Sequence, residues 1–194
     1  MRLARQLAEE YGLETYGFDS PGIDDAVVTQ FAAAIDDTLT RHPPLVLITL
    51  SIAELPEGEL IRSSTDESAD GVSGSHLVLS PIAARSLGPA DERIAAERSA
   101  GQWPGTVDLP PVYALVIREL GYAMDAVGGY RARVAVREME IPDQSGVPGD
   151  PAAVVAAAFA EVELTAAAAG PRSRALYRVL LDAADSARRS IEPR

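Results

Sequence analysis

The chain contains neither cysteine nor lysine, and a single tryptophan. Without cysteine there is no disulfide framework, no thiolate metal site and no sulfur nucleophile. Redox compartment stays open, because a cysteine-free chain tolerates either environment. All 17 basic residues are arginine. That excludes a Schiff-base or general-base lysine, and with abundant alanine it points to a GC-rich, bacterial genome. Basic residues are also in deficit: 29 acidic side chains give a net charge of −12. No basic groove for nucleic acid is expected at that balance. No apolar run approaches the roughly 18 residues of a membrane span, so none is expected. The N-terminus, MRLARQLAEEYGLE, carries acids where a secretory signal needs an apolar core. These features predict a soluble protein, cytoplasmic or exported without a cleaved signal peptide. G-x-S-x-G, G-x-x-x-x-G-K and G-x-G-x-x-G are all missing, so a nucleophile elbow and a nucleotide loop have no support.

What is present suits one domain with a small appendage. The 194 residues are 47% apolar, enough for a real core. Residues 2–11 have helical composition, and we place an N-terminal helical extension at 1–15 and the main domain at 16–194. Val28, Phe31, Ala32, Ile35 and Leu39 form one helical face over 24–41, opened by Asp24 or Asp25. Pro43-Pro44 ends it. LVLITLSI (45–52) reads as a strand buried on both faces. Residues 65–75 read as a loop, 76–80 as a second strand and 89–100 as a charged surface helix. Two helices follow, at about 108–127 and 150–169, each with proline at its start and glycine past its end. A last helix covers about 172–190, and 133–141 is ambiguous between strand and helix. The fold class is therefore α+β, a small sheet in the N-terminal half and helices in the C-terminal half.

The helix at 111–127 carries the most information. Val112, Val116, Leu120, Ala123 and Val127 share one arc, while Arg118, Tyr122 and Asp125 gather opposite. Leu115 and Ile117 flank that narrow stripe, so the helix is apolar almost all round and expected to be buried. Gly121 removes a side chain beside the stripe and lets another segment approach closely. Val116-Ile117-Arg118-Glu119-Leu120-Gly121-Tyr122-Ala123-Met124-Asp125 resembles the zinc helix of zincin metallopeptidases of the H-E-x-G-H-x-x-D kind. In that motif two His at i and i+4 clamp zinc on one face, and the Glu is general base. Further on, Ala153-Val154-Val155-Ala156-Ala157-Ala158-Phe159 resembles the E-F-F-A-E-A-F segment of the anthrax lethal factor group. There the first Glu is the third zinc ligand; its counterpart here is Ala153, and that of the second Glu is Ala157. The resemblance spans about residues 16–190 and implies a zincin-like fold.

The departures from the motif are chemical. The ligand positions hold Arg118, Tyr122 and Ala153. Arginine is always cationic, alanine has no donor atom, and a phenol ligates only after losing a proton with a pKa near 10. The family's Tyr before the Glu-bearing segment has no counterpart in Asp143-Gln144-Ser145-Gly146. Without zinc, Glu119 is a vestigial general base. The expectation is a pseudoenzyme with no zinc and no other cofactor, binding a protein or peptide in its cleft. It is expected to bind neither nucleic acid nor membrane. The acidic balance favours a basic partner over an acidic one. Arg118 is expected near the vacated metal position, paired with Glu119, Asp125 or Glu161, or else pointing to solvent. Asp125, His76 and Glu161 are the further cleft candidates. The same three would be ligands in the rival reading, a divergent metallopeptidase. A second rival is an accessory module of a larger secreted or phage-like assembly. His42 reads as a cation at a helix C-terminus and Trp103 as a core anchor or a ligand platform. Glu161 and Glu163, two apart on a helix, do not share a face.

Overall fold

The computed structural model describes residues 2–67, 73–101, 103, 109–138 and 150–191. Its architecture is mixed α+β, with a four-stranded sheet in the N-terminal half and helices dominating the rest. Helix α1 (Arg2–Tyr11) leads into strand β1 (Glu14–Tyr16), helix α2 (Asp25–Arg41) and strand β2 (Leu47–Ile52). Strands β3 (Ile61–Glu67) and β4 (Ser73–Leu79) follow, then the short helix α3 (Pro81–Ala84) and α4 (Gly88–Ser99). The C-terminal half consists of α5 (Pro111–Val127), α6 (Arg131–Glu138), α7 (Pro151–Thr165) and α8 (Pro171–Ile191).

Local chemistry sets most boundaries. The Asp24 carboxylate accepts from the Ala26 amide at 2.8 Å and opens α2. Asp150 does the same for α7 through the Ala152 amide, with Pro151 in the first turn. Such caps satisfy amides that the helix itself leaves unpaired. Pro111 opens α5, and Gly129, at φ +63°, turns the chain away beyond its end. Residues 133–138, ambiguous in sequence, are helical as part of α6. The expected loop at 65–75 overlaps two strands, the end of β3 and the start of β4; residues 68–72, at its centre, lie outside the described residues.

The sheet order is β1-β2-β4-β3, with β3 alone antiparallel and last in the order. Leu50, Leu77, Leu79 and Ile61 are buried on the face that meets the helices. LVLITLSI is not buried on both faces: Leu47 and Leu50 are buried, but Ile48 is 41% exposed. Alternate side chains of a strand project to opposite faces, and those on the far side of this sheet, Tyr16 and Ile48 among them, meet solvent.

Helix α5 is the centre of the domain. It packs on α2, α4, α7, α8, β3 and β4. Its closest neighbour is α7, because a Cβ at Gly121 would stand 3.0 Å from Ala156 Cα and 3.1 Å from Phe159 Cβ. Helix α7 and the turn after it, Pro151–Ala168, are long and apolar enough to span a membrane by length and composition alone, which the absence of an uninterrupted apolar run did not suggest. In this fold the stretch buries Val155, Ala156, Ala158, Phe159 and Ala160 within the bundle.

A polar staple closes that bundle. Glu163 of α7, its side chain 3% exposed, pairs with Arg41 and with His42 Nε2 at 2.8 Å, both at the end of α2. It also accepts from the Tyr177 hydroxyl of α8 at 2.5 Å. His42, at the C-terminal end of α2, is buried, its ring 5.3 Å from that of Phe159. Burial opposes ionisation of Glu163, yet the hydrogen bonds from His42 and Tyr177 and the charges of His42 and Arg41 hold its carboxyl below the usual range.

Two outcomes follow from this packing. Gly121→Val forces α5 and α7 apart and lowers unfolding free energy by roughly 1–3 kcal/mol, read by urea denaturation. Glu163→Gln destabilises at pH 7 by about 3 kcal/mol, the lower range for breaking a buried pair. Because the folded carboxyl titrates below the unfolded one, its contribution is complete above about pH 4.3. It fades as pH falls through the lower folded value. The gap between wild type and Glu163→Gln in urea unfolding therefore narrows from pH 6 to pH 3; a constant gap contradicts the assignment.

Candidate functional site

A cleft of about 750 Å³ runs between β3 and the helices α4, α5 and α6. Its strand wall includes Glu57, Glu59, Arg62, Ser63 and Thr65. Its helical wall includes Arg93, Arg118, Glu119, Tyr122, Tyr130 and Arg133. Of the polar stripe of α5, Arg118 and Tyr122 line this cleft and Asp125 does not.

Glu119 bridges the two walls. Its Oε2 accepts from the Ser63 amide at 2.9 Å and the Ser63 hydroxyl at 3.2 Å. This contact reveals how β3 is oriented. The Ser63 N–H points away from β4, so Ser63 and Leu77 are a non-hydrogen-bonded pair in the antiparallel ladder. By alternation the backbone groups of Ile61 and Thr65 also point outward, a phase supported by the Ser80 amide donating to Leu60 O at 2.8 Å. Burial pushes the Glu119 carboxyl up; the two Ser63 bonds and the Arg118 charge offset part of that.

Arg118 pairs with a carboxylate, but not one of the three expected. Its partner is Glu97 of α4, whose side chain is 6% exposed. Arg93 pairs with the same Glu97 through the next turn of α4. The Arg118 guanidinium also lies over Trp103, 5.4 Å from the ring centroid. Trp103 is thus both buried and a platform, its occupant being a side chain of the protein itself.

The other expected residues disperse. Tyr122 lines the cleft, and burial followed by the Glu119 charge pushes its phenol up. Ala153, in the first turn of α7, brings only a methyl group and does not line the cleft. Asp125 is 1% exposed, beneath the cleft surface, paired with Arg133. Glu161 accepts from the Gly170 amide at 2.7 Å and the Ser173 hydroxyl at 2.6 Å, so it caps the start of α8. Its partners differ from those of Glu163, although Ser173 and Tyr177 lie one turn apart on α8. His76 neighbours Thr49 and Asp66 and projects from the far face of the sheet, since its register neighbour Leu77 faces the helices. Asp143 to Gly146, where the family Tyr was sought, lie outside the described residues.

The donor set does not fit zinc. Arg118 is committed to Glu97, Tyr122 offers a phenol held protonated, and Ala153 offers nothing. Among the described residues no group of three or more His, Asp and Glu is placed to hold a metal ion.

Sequence reasoning missed Ser63, Glu97, Tyr130 and Arg133. Ser63 sits in a polar strand with no apolar alternation, and Glu97 in a helix whose charges read as a solvated face. For Tyr130 a signal existed: it follows Gly128-Gly129 directly, at the mouth of the motif helix.

The bond between strand and helix is testable at one atom. In Glu119→Ala the Ser63 amide loses an ionised acceptor, a contribution of about 1.5–3 kcal/mol. Its hydrogen exchange then accelerates by at least about tenfold, while the Ser64 amide, bound to β4, is unchanged. Equal rates at Ser63 in both proteins contradict the contact. No family model matches this chain, and no curated protein or solved structure matches it either.

Proposed function

We propose that this chain is a zincin-like domain without a catalytic zinc, and that its cleft binds an extended peptide segment of a partner protein. The observation that carries the reading is the outer edge of β3. It runs along the cleft with no further strand beside it among the described residues. Unpaired edge groups are a template for strand addition. The free positions are Ile61 and Thr65; at Ser63 the Glu119 carboxylate stands where an added strand's carbonyl would accept. An incoming peptide pairs at Thr65 and Ile61 and exchanges with Glu119 at Ser63.

The zincin-like part of the reading rests on α5. Glu119, Gly121 and Asp125 keep the spacing of the motif, and the helix lines the cleft with Arg118, Glu119 and Tyr122. The chemistry at Arg118, Tyr122 and Ala153 argues against hydrolysis by the family's route. The metallopeptidase alternative finds no support in position: His76, Asp125 and Glu161 stand on the far sheet face, beneath the cleft surface and at the start of α8.

The reading is tested by selecting a displayed library of random linear peptides against the protein. Each selected peptide is then measured on wild type and Thr65→Pro. Proline at an edge position whose N–H faces outward leaves the β4 ladder intact but removes one docking donor. Binding at least about tenfold weaker on Thr65→Pro is expected; equal binding sinks strand addition. Protein purified without chelator, and again after added zinc, is expected to hold substoichiometric zinc by elemental mass spectrometry. One tightly held zinc per chain overturns the non-catalytic reading.

A further inference from the structure

The helical wall of the cleft is rich in guanidinium groups, and they are not equivalent. Arg93 and Arg118 share one carboxylate, Glu97, so two positive charges face a single negative one. Arg133 is held differently. Its Nε donates to Asp125 Oδ2 and its guanidinium lies over the Tyr130 ring, 4.3 Å from the centroid. Asp125 Oδ1 is buried and has no hydrogen-bond partner. A guanidinium usually meets a carboxylate through two parallel bonds, and here only Nε does so. The terminal Nη edge of Arg133 makes no bond to Asp125, and the side chain, 27% exposed, lines the cleft.

Tyr130 enforces this arrangement. It adopts φ +62°, a left-handed conformation unusual outside glycine. That turn presents its ring, 37% exposed, at the cleft beside Arg133. Strain of this kind persists where the surroundings over-determine it, often at binding sites. The stack on Tyr130 keeps the guanidinium in a one-bond geometry, with a buried acid behind it and its fork in front.

We propose that Tyr130 and Arg133 form a carboxylate-binding site in the cleft. The carboxylate takes the free Nη edge as a planar, two-pronged acceptor. Tyr130 flanks the site, and Asp125 orients Arg133 from behind without contacting the ligand. On the strand wall Arg62 is paired with Glu59, which leaves Glu57 to repel a carboxylate from that side and the helical wall to receive it. The inference deepens the peptide-binding reading and rests on it. It names the recognised chemistry as an acidic side chain or a C-terminal carboxylate, where overall charge alone favoured a basic partner.

The test follows the Arg133 Nε–H resonance of the full chain, labelled with ¹⁵N-arginine, during titration with three tripeptides. One is Ala-Glu-Ala with both ends blocked, one is Ala-Ala-Ala with a free C-terminal carboxylate, and one is Ala-Gln-Ala with both ends blocked. A saturable shift is expected with at least one carboxylate peptide, at least about tenfold weaker with the glutamine peptide; the peptide that binds identifies the carboxylate's source. The saturable binding, followed on backbone amides near the site, is expected to disappear in Arg133→Lys, which keeps the charge for Asp125 but loses the fork. It is expected to weaken in Tyr130→Ala. Equal shifts with the glutamate and glutamine peptides, or undiminished binding by Arg133→Lys, overturn the proposal. Movement of the Ile61 and Thr65 amides without any at Arg133 overturns it and leaves strand addition standing. No movement at either place with any peptide overturns both.

Discussion

A helix enclosed on nearly every side cannot leave its polar residues to water. Helix α5 is such a helix, and its four polar side chains on the cleft side govern what surrounds it. Arg118 requires an anion and draws Glu97 of α4 into the core; Asp125, beneath the cleft surface, requires a cation and holds Arg133 of α6 at the cleft wall. Glu119 reaches across to the Ser63 amide and ties the helix to the edge of the sheet. A buried charge left without a partner would be far more destabilising than any of these bonds is stabilising. The positions of α4, α6 and β3 around the cleft are consequences of that requirement.

The same logic operates on the opposite side of the bundle. Glu163 is buried in an apolar helix and gathers Arg41, His42 and Tyr177 from α2 and α8. Apolar contact alone would let α7 slide along its neighbours, since its alanines offer little relief. The glycine at 121 and the acid at 163 fix it at two points, one by close approach and one by directed bonds. The cleft wall therefore rests on a helix pair that is pinned rather than merely packed.

These features bear on the proposed peptide cleft. A rigid wall with guanidinium groups oriented from behind loses little entropy when a ligand binds. On this reading one position that would carry metal chemistry in a zincin, Arg118, holds the wall in shape. Arg118 stands where the motif has a ligand, and its charge is spent on Glu97 and Trp103. In the proposed peptide cleft, recognition falls to Tyr130 and Arg133 on the same helical wall.

Much of the helical framework was legible in the residues. The apolar face of α2, the proline starts of α5 and α7, and the glycines after α5 are local signals, read within a few positions of the chain. So was Gly121, whose missing side chain announced a close neighbour without saying which. Strand β3 was not legible, because IRSSTDE has no apolar alternation; it is a strand because β4 pairs with it, and its inner face is held by Ile61 and by Glu119. Nor could the partner of Arg118 be read: Glu119, Asp125 and Glu161 were nearer in pattern, yet Glu97, 21 residues earlier, is the one the fold delivers. The sequence by itself determined where α2, α5, α7 and α8 lie and that α5 would be buried with a polar stripe. Only the tertiary structure decided which charges meet, because pairing depends on distances across the fold that no local periodicity encodes.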